Sequence, residues 1–356
     1  MTPHKRIDAS DISHLSPAAD EIIDVRSPAE FAEDHVPGAI NLPVLSDAER
    51  KEVGTIYKQV SPFEAKRTGA ALITANISRH LSAHFADKPR DYKPVVYCWR
   101  GGQRSQSLVT ILQAIGWYVR IVDGGYKAYR ATVMEANKSI PPTLRFVVVG
   151  GLTGSGKTKL LHTMERAGAQ VLDLEGLAHH RGSLLGDYPD GQPHQKSFES
   201  RIAAALQSFS PDHPVFVESE SSRIGKIHVP DGLWEQLKAS PRIELEASVD
   251  TRTSITMDEY RDFLDDPEPL ITKLSYLRRI RGNDMVDQWI TAARNSDWIP
   301  LVRSLLVDHY DPSYSHAQKT NYRDPVARVS LADHTAPAFE SAARQMIALG
   351  EEHVAK

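Results

Sequence analysis

The sequence predicts an α/β protein built of two parallel-sheet domains, residues 1–140 and 141–356, the second ending in a helical C-terminal part. Three observations lead there. Short apolar runs alternate with amphipathic helical patterns on both sides of residue 140, the pattern of parallel strands joined by crossover helices. The stretch Asn137-Lys138-Ser139-Ile140-Pro141-Pro142-Thr143 ends in paired prolines, which stop a helix and favour extended backbone, as a linker does. A length of 356 residues also suits two ordinary cores better than one.

In the first block, Glu21–Val25, Pro94–Tyr97 and Val119–Val122 read as strands. Between the last two, Ser105 to Ile115 places Leu108, Ile111, Leu112 and Ile115 at helical spacing and stops at Gly116. In the second block, Arg145–Val149 is a continuous apolar run suited to a strand covered on both faces. Further strands are expected at Gln170–Leu174, Val215–Val217 and Ile243–Ala247, and from about residue 254 the pattern turns helical.

Composition narrows the function classes. The net charge of −4 argues against a generic polyanion binder, though not against a local basic patch. No apolar run approaches the ~18–20 residues of a membrane-spanning helix, and the N-terminus lacks the apolar core of a secretory signal. Cys98 is the one cysteine, so no internal disulfide forms and a zinc site of several thiolates is excluded. A reducing cytoplasm is the expected location.

Two loops carry chemistry. Gly151-Leu152-Thr153-Gly154-Ser155-Gly156-Lys157-Thr158 fits G-x-x-x-x-G-K-[ST] between a buried strand and a helix beginning at Lys157. Glycines there let backbone N–H groups turn toward phosphate oxygens, the helix N-terminus adds positive potential, Lys157 supplies a charge, and the Thr158 hydroxyl is placed to meet a phosphate-bound Mg²⁺. Val215-Phe216-Val217-Glu218-Ser219-Glu220 ends a strand in acids, as a metal-side strand does, but with Glu218 or Glu220 where Asp is usual; Asp173 and Glu175 close the preceding strand in the same ambiguous way. No metal is assigned to them. His179-His180-Arg181 reads as a ligand or RNA contact rather than a zinc site, because adjacent histidines point apart on a helix. The second loop, Cys98-Trp99-Arg100-Gly101-Gly102-Gln103-Arg104-Ser105, also lies between strand and helix. Inward N–H groups, a helix N-terminus, Arg100 and Arg104 would all favour a thiolate, making Cys98 an exposed nucleophile.

The first block resembles a rhodanese domain over residues 7–131. The resemblance rests on Asp24-Val25-Arg26-Ser27-Pro28-Ala29-Glu30-Phe31, His35 to Pro43, Cys98 to Ser105, and Asp123-Gly124-Gly125-Tyr126. It attaches reactivity to Cys98 and leaves Asp24 and Arg26 as stabilisers of the fold. Asp34 stands before His35 where the family often has Gly. Five residues separate Cys98 from Arg104, where typical sulfurtransferases have four; five is the spacing of rhodanese-fold phosphatases and suits a tetrahedral anion.

Joined to a P-loop domain, this arrangement resembles the tRNA 2-selenouridine synthase family across nearly the whole chain, through Cys98 to Gly102, Gly151 to Thr158, Leu174 to Gly182 and Glu218 to Gly225. The resemblance implies exchange of sulfur for selenium in 2-thiouridine at the tRNA wobble position, through an S-geranyl intermediate. It implies selenophosphate and geranyl diphosphate as substrates, no tightly bound cofactor, Mg²⁺ left open, and as partners the anticodon stem-loop and the enzyme that produces selenophosphate. On this reading Lys157 and its loop stabilise the departing diphosphate. Cys98 takes selenium as a perselenide that attacks C2 of the base, while phosphate leaves into an arginine-lined loop. Lys273, Arg278, Arg279 and Arg281, with Tyr276 among them and no acid from Leu270 to Gly282, form the candidate RNA face; a solvated helix face is the plain alternative. Tyr310-Asp311-Pro312-Ser313-Tyr314 reads as an ordinary turn, with a base-stacking loop as the alternative. No periodicity identifies an apolar slot for the geranyl chain. Two other readings stay open: a rhodanese-fold phosphatase or sulfurtransferase fused to a nucleotide-dependent kinase-like domain, and a regulatory binding module.

Overall fold

Runs rich in Val and Ile form strands here because both faces of each sheet are covered. The computed structural model describes residues 5–14, 21–183, 186–313 and 322–354. The chain forms two units, residues 1–136 with 193–204, and residues 137–192 with 205–356. Residues 193–204, most of the helix Gln195–Ser208, group with the first unit rather than the second. The expected extended linker is not one. The helix Gly125–Ser139 runs almost to the prolines, which then start a single 3₁₀ turn at Pro141–Thr143, a position where proline's missing N–H costs nothing.

The first unit holds strands β1 (Lys5–Ile7), β2 (Ile22–Asp24), β3 (Ile40–Asn41), β4 (Val95–Tyr97) and β5 (Arg120–Val122). They form one parallel sheet in the order β1-β5-β4-β2-β3. Ile23, Val96, Leu108, Leu112 and Ile121 meet in its core. The predicted helix is present as Gln103–Ile115, and Gly116 ends it in the left-handed conformation at φ 113°.

The second unit holds β6 (Phe146–Gly150), β7 (Gln170–Leu172), β8 (Val215–Glu218), the two-stranded ribbon β9 (Arg223–Ile224) and β10 (Ile227–His228), then β11 (Arg242–Ala247) and β12 (Ala327–Leu331). Its parallel sheet has the order β12-β11-β6-β8-β7. Strand β6 is central and wholly buried, which is why its sequence is an unbroken apolar run. The C-terminal part is not wholly helical. After helices over 249–313, β12 returns to the sheet beside β11, and the helix Ala336–Val354 packs Phe339, Ala342, Ala343 and Met346 into the same core. A separate helical core gathers Phe263, Leu274, Leu277, Val286, Trp289 and Leu301. The turn expected at Tyr310 is instead the end of a π-helix, Leu305–Tyr310, and Tyr314 lies outside the described residues. No helix among the described residues is long and apolar enough to cross a membrane.

Candidate active sites: a cysteine loop and a phosphate loop

The cysteine loop is shaped by the glycines that face it. Tyr126 N donates to Cys98 O at 2.8 Å and Lys127 N to Trp99 O at 3.0 Å, so the first turn of the helix Gly125–Ser139 takes up the loop's carbonyls. A Cβ on Gly125 would stand 2.3 Å from Cys98 O and 2.6 Å from Gly101 N, and Gly101 itself adopts φ 65°. With its carbonyls fixed on one side, the loop turns N–H groups the other way: Gly102 N donates to Cys98 Sγ at 3.3 Å, and Ser105 Oγ lies 3.2 Å from the sulfur.

Two expectations need correction here. Cys98 is 3% exposed and packs against the core, so the sulfur lies at the floor of the loop rather than at an exposed rim. Arg104 does not line the loop as a free cation; its guanidinium is held by Glu30 at 2.7 Å, and Glu30 also completes the capping box at Ser27. Arg100 is exposed, beside Trp99, whose indole rests on Tyr126 with ring centres 5.4 Å apart. Asp24 and Arg26 form a buried ion pair at 2.6 Å, with the guanidinium 3.9 Å from the Tyr126 ring and bonded to Asp34 O. Asp34 in turn accepts from Tyr126 and Ser200, a structural post for which glycine would be no substitute.

The phosphate loop is equally constrained. Gly154 and Gly156 take φ 77° and 78°, and side chains there would strike Thr256 Oγ1 at 2.5 Å and the Phe339 ring at 2.7 Å. Lys157 Nζ donates back to Gly151 O at 2.9 Å. The buried hydroxyls of Ser155 and Thr256 have no hydrogen-bond partner among the described residues. Buried polar atoms are nearly always satisfied, so these two fit a site that receives acceptor oxygens. Thr158 Oγ1 donates to Glu175 Oε2 at 2.7 Å; an Mg²⁺ brought in by a diphosphate would have to displace that bond. No group of three or more His, Cys, Asp or Glu among the described residues is arranged to hold a metal ion.

The acids divide. Asp173 caps the helix Leu174–Ala178, accepting from Gly176 N at 2.7 Å, with His162 2.9 Å from its other oxygen, which accounts for it structurally. Glu218 is buried; its Oε1 accepts from Glu175 N at 2.7 Å and its Oε2 has no hydrogen-bond partner among the described residues. Burial, with the charges of Asp173 and Glu175, pushes its carboxyl well above the usual range. Glu220 is raised in the same way by burial and Glu175, against the pull of Lys157.

What the sequence does not reveal is the cavity that opens from this loop. It has a volume of about 260 Å³. Gly154, Gly156, Lys157 and Thr158 form one part of its lining; Met257, Phe263, Leu264, Leu270, Trp298, Leu301, Val302, Leu305 and Leu306 form another. Arg252, 1% exposed, ties the two parts together. It donates to Thr153 O at 2.9 Å and pairs with Asp311 through both guanidinium nitrogens at 3.0 and 2.6 Å, just beyond the π-helix that supplies Leu305 and Leu306. The spacing 298, 301, 302, 305, 306 is visible in the sequence, but any helix facing a core shows it.

Residues 144–267 match the family described as the tRNA 2-selenouridine synthase AAA domain, and residues 8–132 match the rhodanese-like domain. A tRNA 2-selenouridine synthase from Alcanivorax borkumensis is 34% identical over 330 residues, covering 83% of this chain and 88% of that protein. The chain belongs to the tRNA 2-selenouridine synthase family. A second member, from Shewanella halifaxensis, is 33% identical over 331 residues, covering 83% and 88% of the two chains; one from Nitrosomonas europaea is 34% identical over 258 residues, covering 71% and 67%.

The four cations expected at an RNA face differ in their surroundings. Lys273 lies 3.8 Å from Asp187 and against the Phe263 ring, Arg278 pairs with Asp287 at 2.5 Å, and Arg281 binds His309 Nδ1, His309 O and Ser313 Oγ. Arg279 is exposed beside Tyr276 and Ile280, which are 70% and 64% exposed. The four cations sit on two helices, Glu268–Ser275 and Arg278–Arg281, and local acids occupy two of them.

Proposed function

We propose that the protein converts 2-thiouridine at the wobble position of tRNA to 2-selenouridine in two steps, one at each loop. The observation that carries this reading is the single cavity in which a phosphate loop adjoins an apolar lining. A ten-carbon allylic diphosphate has that same division, an anionic head and an apolar tail.

In the first step the thiocarbonyl sulfur attacks C1 of geranyl diphosphate. The S–C bond forms, the C–O bond breaks with its electron pair on oxygen, pyrophosphate leaves, and the N3 proton passes to solvent. N–H groups of the loop, Lys157 and the Ser155 hydroxyl stabilise charge that grows on the leaving group.

The second step differs from the perselenide route. Selenium in selenophosphate is already at the selenide level, so a perselenide on Cys98 would need a two-electron oxidant. Attack of the Cys98 thiolate on phosphorus needs none, and the floor position of the sulfur and the five-residue spacing to Arg104 suit it. The S–P bond forms, the P–Se bond breaks, and hydrogen selenide leaves as its anion. That anion adds to C2 of the S-geranyl base and returns a proton to N3. Geranylthiolate departs and is protonated by solvent, and water hydrolyses the phosphocysteine. Selenophosphate reaches the loop from the enzyme that makes it. Incubation of the purified chain with 2-thiouridine tRNA and geranyl diphosphate alone should yield the S-geranyl nucleoside and one pyrophosphate per tRNA. Nucleotide hydrolysis without geranylation would instead favour the kinase-like reading.

A further inference from the structure

The segment His179–Gly182 takes no part in the steps above, yet the structure builds it with care. Its histidines face different partners. His179, in the left-handed region at φ 47°, stacks on the Tyr188 ring at 4.4 Å and meets Asp190 Oδ1 at 2.8 Å. Buried His180 faces Asp187 Oδ1 at 3.3 Å. Both contacts hold the loop bearing Tyr188 against the segment. Tyr188 then forms one side of a stack around Arg181, whose guanidinium carbon lies 4.6 Å from that ring and 4.7 Å from the ring of Tyr260. Tyr260 is fixed in turn by Ser183, hydroxyl to hydroxyl at 3.0 Å. A guanidinium between two rings keeps only its in-plane N–H edge for other partners, so the stack orients the group as well as retaining it.

Arg181 lines the same cavity as Lys157. Lys157 is the other cation of that lining, and one ammonium offsets only part of the charge of a diphosphate head. We propose that Arg181 is a catalytic residue of the head-group site: its forked N–H groups take non-bridging oxygens of the allylic diphosphate and stabilise pyrophosphate as the C1–O bond breaks. The assignment rests on the geranyl transfer proposed above. The two histidines and Tyr188 are its positioning residues.

The test measures inorganic pyrophosphate binding by calorimetry and geranyl transfer to 2-thiouridine RNA in parallel. Arg181→Ala should weaken pyrophosphate binding at least ~10-fold and lower kcat ~10²-fold, with little change in KM for RNA. Arg181→Lys should recover part of the pyrophosphate affinity but not kcat, since it lacks the planar fork. Tyr188→Leu keeps the charge and loses the stack, and should fall between the wild type and Arg181→Ala. Pyrophosphate affinity and kcat unchanged in Arg181→Ala would overturn the proposal. If that variant does not fold, Arg181→Lys decides, and full activity from the lysine would overturn it. A wild-type chain that binds pyrophosphate but never geranylates would refute the transfer reaction, while the calorimetric arm still judges Arg181.

Discussion

Replacing Val302 by tryptophan tests whether the apolar part of the cavity holds an isoprenoid tail. Val302 lines the cavity and is half-buried, whereas its neighbours Leu301, Leu305 and Leu306 are buried in the protein. A larger side chain at 302 therefore has the cavity to grow into. An indole in a space of about 260 Å³ should deny the tail a large part of its seat. At ~0.8 kcal/mol per buried methylene, excluding roughly five of the ten tail carbons costs about 4 kcal/mol, a loss of ~10³ in affinity. The phosphate loop is untouched, so inorganic pyrophosphate should bind within about two-fold of wild type, and a five-carbon allylic diphosphate should lose far less than the ten-carbon one. Titration calorimetry with the three ligands reads the result. The reasoning fails if geranyl diphosphate and pyrophosphate weaken together, or if the ten-carbon ligand binds the variant as well as it binds the wild type.

The other perturbations separate the two loops and probe the buried acid. Gly125→Ala places a Cβ 2.3 Å from Cys98 O at a residue with φ 60°, so it should cost roughly 1–3 kcal/mol of stability and abolish selenium insertion while geranylation persists; denaturant melts and nucleoside analysis check both halves. Glu218 holds its proton to a higher pH when folded than when unfolded. The folded state then binds more protons above pH ~4.5, and stability falls as pH rises toward the raised folded value. Glu218→Gln keeps an oxygen for Glu175 N and removes that slope, so its melting temperature should gain on the wild type from pH 5 to pH 8; parallel curves would contradict the assignment.

Legibility in the sequence followed periodicity and covalent geometry. The strand–loop–helix units around Cys98 and Gly151 were readable because buried parallel strands are unbroken apolar runs and because glycines mark loops that must present N–H groups. Strand β12 escaped because Ala327-Arg328-Val329-Ser330-Leu331 is a short alternating edge strand, with Val329 and Leu331 inward, set among helices. Cys98 was expected at an exposed rim; the sequence shows a strand end but not how deep the loop folds down onto the core. The partners of the basic group were not legible for a different reason. Its acidic partners Asp187 and Asp287 and the acceptor His309 lie in other helices and loops, and only tertiary structure brings them near. The apolar cavity was invisible in principle, because a helix lining a ligand site and a helix lining a core share one spacing.

The most direct test of two loops with separate tasks is nucleoside mass spectrometry on two variants, supplied with 2-thiouridine tRNA, geranyl diphosphate and selenophosphate. Lys157→Ala should leave 2-thiouridine unmodified yet convert RNA that is already S-geranylated into the selenium form. Cys98→Ser should accumulate the S-geranyl nucleoside and stop there. Equal loss of both steps in Lys157→Ala, or unmodified 2-thiouridine in Cys98→Ser, would contradict the account.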